Sequence, residues 1–137
     1  MDRLILAEKL ESLPAPLRAE GGSAPHRNRR RAAPDVDRQD TLALNLTRAV
    51  QLCVDAAGIV IADSDEAAPQ TMGQAFDALA RLGAIDDALA KRMKAAVGFR
   101  NIAVHSYQTV NWDIVFAISH RGLEDFRDFA KAMGALL

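Results

Sequence analysis

Leu42-Ala43-Leu44-Asn45-Leu46-Thr47-Arg48-Ala49-Val50-Gln51-Leu52-Cys53-Val54-Asp55-Ala56-Ala57-Gly58-Ile59-Val60 is the stretch on which the fold turns. Leu42, Leu46, Ala49, Val50, Cys53, Ala57 and Val60 recur at spacings of three and four, the period of one helical face, while Leu44, Leu52, Val54, Ile59 and Ile61 cover other faces. An element apolar around most of its circumference belongs at the centre of a helical bundle. Arg48, Gln51 and Asp55 form the one polar stripe on it, and their spacing keeps them on neighbouring turns.

Upstream the texture changes abruptly. Pro14 to Pro34 holds four of the five prolines, the pair Gly21-Gly22 and the basic run Arg27, Arg29, Arg30, Arg31, with almost no large apolar residue, so a loop is expected over about 14–38. Before it, Asp2 to Ser12 reads as a short amphipathic helix, with Ile5, Glu8, Lys9 and Ser12 on a partly polar face opposite Leu4, Ala7 and Leu10.

Downstream, Thr71 and Gln74 have capping-box spacing ahead of Phe76, Leu79 and Leu82, which predicts a helix that stops at Gly83. Asp86 and Asp87 put negative charge where a helix N-terminus favours it, and Leu89, Met93, Ala96, Val97 and Arg100 continue one stripe from there. Asn111 can cap a final helix with Ile114, Val115, Ile118, Phe126, Phe129 and Met133 on its inner face, bent at Gly122. The expected architecture is an all-α antiparallel bundle of four to five helices in a single domain over 1–137.

Composition agrees with helices packed on helices, because 50% of the residues are hydrophobic but only 5% are aromatic, and alanine and leucine carry the apolar load. A formal net charge of -1 supplies no global positive field for nucleic acid, so any RNA contact has to be local. The lone Cys53 has no partner for an intrachain disulfide and no companions for a thiolate metal site, and reads as a small buried hydrophobe. No basic segment leads an apolar core at the N-terminus, and the apolar run Ala49 to Ala62 is interrupted by Gln51, Asp55 and Gly58. A soluble, cytoplasmic chain without a membrane span is expected.

The segment Gly98-Phe99-Arg100-Asn101-Ile102-Ala103-Val104-His105-Ser106-Tyr107 carries the chemistry. It resembles the R-N-x-x-x-H-x-Y signature of HepT-like proteins of the HEPN superfamily, and all four marked positions match. Arg48, Gln51 and Asp55 resemble the R-x-x-Q-x-x-x-D pattern on the central helix of the same families, and Phe76 to Leu79 their following Phe-x-x-Leu helix. The likeness runs from about Asp40 to the C-terminus. Ahead of it, relatives continue the first helix well past the position of Leu13, where this chain has proline, glycine and arginine. A loop insertion and a locally shifted reading frame that rejoins near Val36 to Asp40 are the two accounts of that departure.

The resemblance implies a homodimeric, metal-independent endoribonuclease toxin with no cofactor, neutralised by an MNT-type nucleotidyltransferase antitoxin that transfers AMP to Tyr107. The residue types suit that reaction. An imidazole, with an ordinary pKa of about 6.5, lets His105 exchange a proton with the attacking 2'-hydroxyl or the leaving 5'-oxygen. Arg100 offers a planar fork of donors for phosphate oxygens and for the charge of a pentacoordinate transition state. Asn101, four residues before His105, shares a helical face with it and can orient the imidazole or hold the phosphate. Residues five apart on a helix differ by about 140° in azimuth and about 7.5 Å in rise, so Arg100 and His105 of one chain converge poorly and a second chain would help. Tyr107, about 20° off the stripe of Arg100 if the helix continued, would open into the same cleft.

Plainer roles stand beside these. Arg100 and His105 can be a helix-end charge and a capping histidine, and Tyr107 an aromatic that seals a helix corner. Arg48, Gln51 and Asp55 can support the motif from behind, or form a polar network that sets helix register. The Arg27 to Arg31 run, His26 and His120 read as solvated, and Lys91, Arg92 and Lys94 as an exposed charged face. The alternative function is a catalytically silent helical dimer that binds a nucleotidyltransferase or a nucleotide.

Overall fold

The computed structural model describes residues 1–13, 36–105 and 124–137. Among these, all regular structure is helical: α1 (Arg3–Glu11), α2 (Val36–Ala62), α3 (Met72–Arg81), α4 (Asp87–His105) and α5 (124–134). The expected all-α bundle is what the chain forms. Helix α2 begins at Val36, so the end of the stretch expected as a loop, 36–38, is helical.

Local chemistry sets the helix ends. Asp2 caps α1 by accepting from the Ile5 amide at 3.1 Å, and Asp86 caps α4 by accepting from the Leu89 amide at 2.7 Å. Thr71 caps α3 through the Gln74 amide at 3.2 Å, while the Gln74 side chain reaches one residue further back than a capping box requires and accepts from the Gln70 amide at 2.8 Å. Helix α3 ends where Gly83 adopts φ +77, and the amides of Gly83 and Ala84 return to the carbonyls of Ala80 and Leu79, both at 3.0 Å. This is the paired bonding of a Schellman turn, which needs a residue tolerant of the left-handed region at that place. The turn sends α4 back along α3.

Helix α2 packs against α1, α3 and α4, and α3 packs against α4. Its inward stripe is Ala49, Val50, Cys53, Ala56, Ala57 and Ile61, all buried, and the three alanines let neighbouring helices approach closely. Phe76 and Leu79 of α3, Met93 of α4, and Phe129 and Met133 of α5 are fully buried against it. Each such side chain contributes about 1.5–3 kcal/mol by leaving water. Phe76 and Phe129 meet edge to face, with ring centroids 5.5 Å apart and an interplanar angle of 85°. Of the final helix's expected inner face, Phe126, Phe129 and Met133 are buried as read; Asn111, Ile114, Val115, Ile118 and Gly122 lie outside the described residues.

Leu44–Ala62 is long and apolar enough to cross a membrane by length and composition alone. Here it is the core helix of the bundle, with one stripe covered by α1, α3 and α4 and a polar pair, Gln51 and Asp55, on its outer side.

The face of α1 is a correction. Leu6 and Leu13 are buried with Leu10 packed beside them, whereas Leu4 is 71% exposed, so the inner stripe is Leu6-Leu10-Leu13 and not Leu4-Ala7-Leu10. A helix of nine residues carries little periodicity of its own, and its rotation follows from where it is tied to α2. Those ties are the N-terminal ammonium to Asp63 at 3.0 Å and Lys9 to Asp55 at 3.5 Å, which also make α1 run opposite to α2.

Candidate active site

The motif occupies the second half of α4. The first half anchors it, with Leu89, Ala90, Met93, Ala96 and Val97 buried. On one side Lys94 bonds both carboxylate oxygens of Asp77 at 3.1 Å, and on the other Arg92 Nη1 bonds Asp125 at 2.8 Å and Asp128 at 3.0 Å. The hydrogen bonds to Asp125 and then Asp128 raise the Arg92 pKa above its ordinary value. These cross-helix pairs lie 17 to 36 residues apart in the chain, so nothing local in the sequence signals them. They also remove Arg92 and Lys94 from any free basic patch.

Beyond Val97 no described side chain of α4 is fully buried. Gly98, Asn101 and Ile102 are exposed, Ile102 at 52%, and Phe99 and Arg100 are half-buried. Arg100 Nη1 donates to Asn101 Oδ1 at 2.8 Å. The Arg100 Nε–H is buried and has no acceptor among the described residues. A buried donor without a partner costs about 1–3 kcal/mol, a burden usually found where an anion or a substrate completes the bonding. His105 is the last residue of α4; its side chain, and Tyr107 as a whole, lie outside the described residues, as do His26, the Arg27 to Arg31 run and His120.

The polar stripe of α2 is only partly assembled. Gln51 Nε2 donates to Asp55 Oδ1 at 2.9 Å, and the other oxygen of Asp55 meets Lys9. Arg48 is exposed. Among the described residues, no hydrogen bond joins Arg48, Gln51 or Asp55 to Arg100 or Asn101. Lys9, the partner that ties Asp55 to α1, was not legible without the tertiary structure.

An open cleft of about 510 Å³ between α3 and α4 is lined by Asp77, Arg81, Asp87, Lys91 and Lys94 among others. Lys91 stands nine residues before Arg100, about 180° around the helix, so this cleft lies on the side of α4 opposite Arg100. Cys53 is buried in apolar surroundings that push its thiol pKa up, which keeps it neutral and inert. No group of three or more His, Cys, Asp or Glu side chains among the described residues is placed to hold a metal ion.

Known proteins share the fold and much of the sequence. The family model described as ribonuclease HepT-like matches residues 24–133, which takes in α2, α3, the motif and most of α5. The mRNA nuclease HepT of Shewanella oneidensis is 38% identical over 101 residues, covering 74% of this chain and 76% of that protein. A solved toxin–antitoxin structure with AMP-PNP superposes with a TM-score of 0.81 at 30% identity, over 94% of this chain and 97% of the other. The tri-AMPylated Shewanella oneidensis HEPN toxin, solved in complex with its MNT antitoxin, gives 0.80 at 31% identity over 96% and 97%. Matched along most of its length in sequence and nearly all of it in fold, the chain belongs to the HepT-like ribonuclease family.

Proposed function

We propose that the protein is an endoribonuclease toxin that cuts mRNA in the cytoplasm at a site built on Arg100, Asn101 and His105. The observation that carries this reading is the R-N-x-x-x-H-x-Y segment of the sequence, whose Arg100 and Asn101 follow the buried half of α4, in a chain of the HepT-like family. An imidazole takes the proton of the 2'-hydroxyl as its oxygen attacks the adjacent phosphorus. The bond from phosphorus to the 5'-oxygen breaks, and a protonated imidazole returns a proton to that oxygen. Arg100 stabilises the charge on the phosphoryl oxygens between these events. The protein's own residues supply each of these roles without a metal.

A homodimer whose two motifs face one cleft lets one protomer's arginine act with its partner's imidazole, and a twofold interface is the commonest way to pair identical surfaces. Arg48, Gln51 and Asp55 act on the motif indirectly, through α2: Asp55 holds α1 to that helix, which in turn packs on α4. The partner that silences the site is an MNT-type nucleotidyltransferase antitoxin with Tyr107 as AMP acceptor; the added bulk and phosphate charge block approach of RNA. The tri-AMPylated relative supports that assignment.

Induced expression of wild type, Arg100→Ala and His105→Ala, with total RNA resolved on a gel, tests the reading. Arrest and RNA fragmentation are expected for wild type alone, and cleavage by the purified protein persists in excess EDTA. Absence of arrest in all three would favour the silent binding module. With an MNT-type partner and ATP, an added AMP on Tyr107 is expected by intact mass, and Tyr107→Phe removes it.

A further inference from the structure

The hydrogen bond between Arg100 and Asn101 joins consecutive residues of a helix, and that is unusual. Neighbours in sequence point about 100° apart around the axis and do not face each other. For Nη1 to reach Asn101 Oδ1 at 2.8 Å, the long arginine side chain has to lean across the helix surface toward its neighbour. The direction matters. Asn101 lies about 100° around from Arg100, and His105 about 140° around in the same sense, so Asn101 and His105 are only about 40° apart. Leaning toward Asn101 therefore carries the guanidinium out of its own azimuth and most of the way to that of His105.

We infer that Asn101 is a positioning residue whose side-chain carbonyl turns the Arg100 guanidinium onto the face of α4 that carries His105. The clamp uses one N–H of Nη1 and leaves Nη2 uncommitted among the described residues, with the buried Nε–H still without an acceptor. A free arginine side chain loses rotamer entropy when it is fixed, and a clamp that meets this cost before RNA arrives leaves the fork ready for a phosphoryl oxygen. The poor convergence of Arg100 and His105 within one chain, from which a second chain was expected, is thereby reduced inside a single protomer. Asn101 is exposed, so its replacement leaves the core untouched.

The kinetic part of the test rests on the ribonuclease reading; the spectroscopic part does not. Single-turnover cleavage of an RNA is measured for wild type, Asn101→Ala, Asn101→Asp, Arg100→Ala and the Arg100→Ala/Asn101→Ala double variant. Asn101→Ala should lower the rate about 10- to 100-fold with RNA affinity changed less than about 3-fold, as expected for a contact that matters chiefly in the transition state. Asn101→Asp keeps an acceptor for Nη1 and should recover most of that loss. In the Arg100→Ala background, removing Asn101 should cost nothing further. An equal cost in both backgrounds, or an aspartate variant worse than the alanine, overturns the inference, because the amide would then be acting on RNA directly. If the wild type cuts no RNA, the ribonuclease reading fails, and proton–nitrogen NMR of the guanidinium decides the clamp. Hindered rotation of the Arg100 Nη1 group in wild type, lost in Asn101→Ala, supports it; free rotation in both overturns it.

Discussion

From Asp87 to Val97, helix α4 buries five side chains and is tied to α3 by Lys94 and to α5 by Arg92; from Gly98 onward it exposes Asn101 and Ile102 and holds an arginine with an unanswered donor. One helix thus divides into an anchored half and, on the function proposed above, a working half. The continuous backbone ladder of α4 lets the first half fix the direction of the second, so the motif needs little core of its own. Stability and activity should therefore respond to different residues of the same element.

The largest effect that tests this division falls on the working half. Arg100→Ala and His105→Ala should each lower RNA cleavage by about 10²–10⁴-fold while leaving far-ultraviolet circular dichroism unchanged; a loss of helical content in either would break the comparison. Met93→Ala, in the anchored half, should lose about 2–5 kcal/mol in urea unfolding, since Met93 is fully buried in the core cluster. A loss below about 1 kcal/mol would mean the anchor lies elsewhere. Asp86→Ala removes the acceptor for the Leu89 amide and should cost about 0.5–2 kcal/mol by the same measurement. Arg92→Ala should cost least, about 0.2–1 kcal/mol, because its ion pairs are partly exposed, and the difference should shrink as salt is raised. An effect of Arg92→Ala on cleavage larger than its effect on stability would show that the α4–α5 tie positions the motif and not merely the helix.

Much of the fold was open to sequence reading because it rests on local rules. The stripe Ala49, Val50, Cys53 and Ala57 had the helical period, and Thr71, Gly83 and Asp86 stood where caps and a left-handed turn are wanted. The inner face of α1 was misread, because a nine-residue helix with leucines at positions 4, 6 and 10, and another just past its end at 13, admits more than one apolar stripe. Lys91, Arg92 and Lys94 looked alike as exposed cations; Lys94, still exposed, meets Asp77 of α3, and the half-buried Arg92 meets Asp125 and Asp128 of α5. The motif itself was legible as a set of residue types at fixed spacing, but the contact within it was not: Asn101 was read toward an imidazole or a phosphate, and its side-chain oxygen also accepts from the arginine beside it.

The amino-acid sequence by itself determined the helical class, most helix ends and the motif, because periodicity, capping and residue chemistry act within a few positions along the chain. The tertiary structure alone decided which face of α1 is buried, which cations of α4 are tied down, and toward what Arg100 leans. Those outcomes depend on groups brought together from distant positions, or on how a long side chain settles on the finished surface, and neither is written in local spacing.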